Sequence, residues 1–91
     1  MNNAKLEKVM LTIGKGLEGH WGIKPEINQY NGHSAVILRN FVTPMRKNIP
    51  EENAEIIKNA LENLGEVFNL TEWIGVIDEP TSNLVITYNP S

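Results

Sequence analysis

The chain contains no cysteine, which excludes disulfides, thiolate zinc sites, iron–sulfur clusters and cysteine nucleophiles together. Small secreted scaffolds normally depend on such staples, so this domain has to hold itself together by packing. Long hydrophobic runs are missing as well. The longest uncharged apolar stretch, Val9–Ile13, is far too short to span a bilayer, and Met1–Lys8 carries charge where a signal peptide needs an unbroken apolar segment. The expectation is a cytoplasmic protein with no membrane association, in which the sequon Asn69-Leu70-Thr71 has no meaning. Histidine is scarce. His20 and His33 have no spacing to each other or to a carboxylate that defines a metal site, so neither a metal nor a cofactor is expected.

What is present is an ordinary soluble composition, 41% hydrophobic and 21% charged over 91 residues, which makes residues 1–91 one small domain. A domain of this size buries only about 60 to 65% of its unfolded surface, so any extra apolar burial, such as a dimer interface, counts heavily. The net charge of −3 conceals a division: residues 1–47 hold seven Lys or Arg against three Glu (+4), and residues 48–91 hold one Lys against eight acids (−7). Such asymmetry suits a dipolar subunit that associates with copies of itself, or a basic surface for an acidic partner. Asparagine takes 12 of the 91 positions, dispersed along the chain. That composition fits an AT-rich genome, as in many bacteria and bacteriophages, and points to a phage or mobile-element protein.

Hydrophobic spacing organises the chain. Leu6, Val9, Met10, Ile13 and Leu17 make one stripe of a helix starting near Asn3, and Gly14, Gly16 and Gly19 are expected to end it. From Ile23 to Val42 the period becomes two, broken by Asn31-Gly32, the dipeptide suited to a type I′ turn. Facing Tyr30 with His33 pairs Ile27 with Val36 on the core side and Glu26 with Ile37 on the other. Pro25 places that strand at an edge. Pro50-Glu51-Glu52 opens a second helix, with proline near N1 and carboxylates at the positive dipole end, and Gly65 follows it as C′ residue. Thr71–Asp78 and Asn83–Tyr88 form a second hairpin around Glu79-Pro80-Thr81-Ser82. The fold expected is α+β, a two-layer sandwich in α-β-β-α-β-β order with a mostly antiparallel four-stranded sheet and both helices on one face.

Several motifs point to chemistry only on a first look. Gly14-Lys15-Gly16-Leu17-Glu18-Gly19 matches G-x-G-x-x-G, but a helix leads into it and no crossover helix follows, the reverse of a dinucleotide site. Trp73–Asp78 is similar over six residues to the Gly-x-Ile-Asp stretch of LAGLIDADG homing endonucleases. That family carries the motif on an interface helix, whereas Pro80 and the β-rich run place it on a strand here, and the family is set aside. Ser34 and His33 are adjacent on a strand and point to opposite faces, which removes a Ser–His dyad.

The leading expectation is therefore a small non-catalytic protein-interaction module, homo-oligomeric, acting as a host-enzyme inhibitor or a virion component. The second hairpin has two apolar faces and the helices can cover one, so Ile74, Val76 and Val85, with Ile37 and Phe41 from the first hairpin, are the expected interface. The alternative is a nucleic-acid-binding accessory protein using Lys24, Tyr30, His33, Arg39, Arg46 and Lys47, although a net acidic chain is poorly suited to gripping phosphates. A third reading is a small enzyme with an open site near Tyr30 and His33.

Overall fold

In the computed structural model, which describes residues 1–47 and 50–90, six elements follow in the expected order: α1 (Asn3–Trp21), β1 (Glu26–Tyr30), β2 (His33–Leu38), α2 (Pro50–Asn63), β3 (Trp73–Asp78) and β4 (Asn83–Tyr88). The strands form one antiparallel sheet in the order β1-β2-β4-β3, with both helices packed against one of its faces. No helix among the described residues is long and apolar enough to cross a membrane.

Both hairpins take the register that their turns dictate. Asn31 and Gly32 adopt φ of 51° and 81°, the left-handed pair a type I′ turn needs, and Tyr30 faces His33 while Ile27 faces Val36. In the second hairpin Ile77 faces Leu84. The halves join where β2 lies beside β4, with Leu38 opposite Leu84 and Val36 opposite Ile86.

The first helix overturns one expectation. It does not stop at its glycines but runs to Trp21, where Gly22 at φ 72° caps it and donates to the Glu18 carbonyl. Tertiary packing decides this. A Cβ on Gly14 would sit 3.1 Å from Pro25, and one on Gly16 would meet Ile56 at 2.9 Å, so these glycines let α1 approach β1 and α2 closely. Each costs up to about 1 kcal/mol of helix propensity, and burial of Leu17 and half-burial of Trp21 one turn further on offset it.

The helices are antiparallel and tied at both ends. At one end the Trp21 indole N–H donates to Asn53 Oδ1 (3.0 Å) and His20 meets Glu52 (2.9 Å); at the other, Lys5 Nζ donates to the Leu64 carbonyl (2.9 Å). Between helices and sheet lies the main core, built on Met10, Ile13, Leu17, Phe41, Leu61 and Leu84 among others.

Candidate protein interface on the outer sheet face

Side chains alternate across a strand, so the sheet has a second face, away from the helices. The register assigns its residues. One row across the sheet reads Glu26, Ile37, Val85, Val76; the next reads Asn28, Ala35, Thr87, Ile74. Ala35, Ile37 and Val85 form a small buried cluster of their own, against which Tyr30 packs. Ile74 and Val76 extend this apolar centre onto β3 and remain 39% and 37% exposed. Thr87 is buried among them and donates its hydroxyl to the Ile74 carbonyl (3.4 Å), which satisfies its polar atom without interrupting the apolar surface.

The structure thus brings Ile37, Ile74, Val76 and Val85 together on one face. Phe41 does not join them, which corrects the sequence assignment. Asn40 takes φ 52°, and this single left-handed residue breaks the alternation after β2. Phe41 turns inward, fully buried in the helix-side core with its ring edge-on to Trp21 at 4.9 Å.

The six residues considered for a ligand or nucleic-acid face are dispersed. Tyr30 and His33 sit opposite each other at the turn end of the first hairpin. Arg39 lies past the other end of that hairpin, about 20 Å away by strand rise, and its guanidinium pairs with Glu26 at 2.8 Å. That hydrogen bond holds the Glu26 carboxyl below its ordinary range. Arg46 folds back to donate to the carbonyls of Phe41 (2.6 Å) and Asn40 (3.2 Å), its guanidinium 5.2 Å from the Phe41 ring centroid, so it braces the loop. Lys24 and Lys47 are exposed on separate loops. Among the described residues no three His, Asp or Glu side chains cluster as metal ligands would.

Tyr30 is the residue whose role the sequence left least visible: it is partly buried and packs against the Ala35–Ile37–Val85 cluster. The signal was its place on the same cross-strand face as Ala35 and Ile37. Comparison of the chain with models of protein families, with curated proteins and with solved structures finds no match.

Proposed function

We propose that the protein is a small non-catalytic protein-interaction module that works by surface complementarity, through the outer face of its sheet, and associates there with a second copy of itself. The observation that carries this reading is an apolar sheet centre with no layer across it among the described residues, continued to the surface by Ile74 and Val76. Contiguous apolar surface on a small domain marks an interface more often than not.

The strand order suits a copy of the same chain as occupant. β1 and β2 belong to the basic half (+4) and β4 and β3 to the acidic half (−7), and the strand order sets the two halves on opposite sides of the sheet. A two-fold axis parallel to the strands, between two stacked sheets, lays the β1–β2 side of one copy over the β4–β3 side of the other. The contact is then isologous, each copy presenting the same patch. Inhibition of a host enzyme, or a place in a virion, is the setting to which the asparagine-rich composition points.

Sedimentation equilibrium of wild type and Val76→Glu at micromolar concentration tests the proposal. The expected result is a wild-type dimer that the glutamate converts to a folded monomer. A wild-type monomer would refute it, and a folded, still dimeric Val76→Glu would move the contact elsewhere.

A further inference from the structure

The strands at the two ends of the sheet, β1 and β3, each turn one row of peptide groups away from it, and an unguarded edge is a template for another strand. On β3, the Asn89 N–H donates to the Glu72 carbonyl at 2.7 Å, which sets the alternation of the ladder. Ile74 and Val76 direct their peptide groups to β4, and the N–H and C=O groups of Trp73, Gly75 and Ile77 point to the open edge. The strand has no proline, and no charge before Asp78.

The side chains of those same three residues face the helix layer, and the middle one is missing. A Cβ on Gly75 would meet nothing closer than Ile86 at 3.9 Å. The gap belongs to a cavity of about 100 Å³ between β3 and α2, walled by Ala54, Ile57, Phe68, Trp73 and Ile86 and lined by no charged side chain. Leu70 also lines it and is 66% exposed, so the cavity opens to solvent there. Apolar cavities of about this size take up a single hydrocarbon group.

We propose that the β3 edge and this cavity form a docking groove for an extended segment of a partner protein. The segment adds as a strand, pairing with the outward peptide groups of Trp73, Gly75 and Ile77, while side-chain pockets supply specificity. A residue opposite Gly75 shares its face, so its side chain enters the cavity, which takes an aliphatic or aromatic group. Charge defines the rest of the partner. Glu72 precedes β3, Asp78 ends it and Glu79 follows; Glu51 and Glu55 stand exposed on α2, where Lys58 is the single cation. A second copy adding its own β3, glycine opposite glycine, would set Glu72 against Asp78 and leave the cavity facing a residue with no side chain. The occupant is therefore a different chain, an apolar strand flanked by lysine or arginine. This groove is distinct from the outer face, so neither proposal depends on the other.

Parallel selection of displayed random peptides on wild type and on Gly75→Val tests the groove. Valine fills the cavity, and Gly75 does not have the positive φ that would strain it. Wild type is expected to enrich peptides with an apolar residue between basic ones. These should bind Gly75→Val at least about tenfold more weakly, bind Val76→Glu no more weakly than wild type, and slow amide exchange at Trp73, Gly75 and Ile77. Ala54→Leu, which fills the cavity from the helix wall, should reproduce the loss and covers the case that Gly75→Val folds poorly. Absence of enrichment over the Gly75→Val arm, or equal binding to both proteins, overturns the proposal. A wild-type oligomer dissolved by Gly75→Val would also overturn it, by giving the edge to a second copy.

Discussion

The two edges of the sheet are built on the same plan, a hairpin strand roofed by a helix, and they end up chemically opposite. At the β1 edge, Gly14 lets α1 touch Pro25 just before the strand, while further along an open hollow remains between Leu6, Glu7 and Met10 of the helix and Ile27 and Ser34 of the hairpin, with a carboxylate in its wall. β1 itself is polar and exposed at Glu26, Asn28 and Gln29, with Glu26 engaged by Arg39. At the β3 edge, α2 leans on α1, and the glycine lies on the strand, where it opens a cavity. A glycine on the helix brings the layers together at one point, and a glycine on the strand leaves an apolar cavity. The lesson is that edge protection is a matter of local decoration. One backbone plan yields an edge strand dressed in polar and charged side chains and another dressed in apolar ones, according to where the small residue and the charges fall.

Truncating one inward residue on each edge should give the largest contrast. Trp73, buried against Tyr88 with ring centroids 4.9 Å apart, is expected to cost about 3–5 kcal/mol on replacement by alanine. That is a large fraction of the whole stability of a domain this small. Ile27, its counterpart on β1, is 41% exposed, and Ile27→Ala should cost about 1 kcal/mol or less. Urea unfolding followed by circular dichroism separates the two, and equal midpoints would erase the proposed asymmetry.

A smaller effect, of opposite sign on the two sides, should follow from replacing glycine by valine. At Gly32, φ is 81°, so a β-branched residue is strained and Gly32→Val should lose about 1–2 kcal/mol. At Gly75 the same change adds a side chain to empty apolar space in a strand, and should gain about 0.5–1 kcal/mol. Thermal melts moving in the same direction would contradict this account of the cavity.

The smallest effect is expected from the ion pair that guards β1. Because Arg39 lowers the Glu26 carboxyl in the folded state, the pair adds stability above the ordinary glutamate range and loses it as pH falls through the lowered value. Both side chains are exposed, so Arg39→Ala should hardly move the melting temperature, yet in an NMR titration the Glu26 carboxyl should return to the usual carboxylate range. No change in that titration would remove the pair from the description of the edge.

Much of this arrangement was readable before any coordinates. Asn31-Gly32 and Glu79–Ser82 pinned both registers because a turn fixes its own strands locally, and period-two spacing then sorted Ile37, Ile74, Val76 and Val85 onto one face. Three things were not readable. The run of α1 through Gly14 and Gly16 depends on contacts with Pro25 and Ile56, which helix propensity does not see. The inward turn of Phe41 depends on one left-handed residue, Asn40, in a sequence that otherwise alternates smoothly. The cavity had a trace, the glycine between inward-facing Trp73 and Ile77, but its depth depends on how α2 settles against α1.

The central pairing of β2 with β4 also sets an order of events during synthesis. Leu38 and Leu84, which face each other in the finished sheet, are 46 positions apart in the chain. At about 5–20 residues per second, β2 waits roughly 2–10 s for its neighbour to be made, whereas its hairpin with β1 closes in microseconds. Throughout that interval the strand destined for the middle of the sheet is itself an edge, with the apolar run Ala35–Leu38 uncovered. The nascent chain is therefore most vulnerable to wrong partners at a place that the folded protein hides completely.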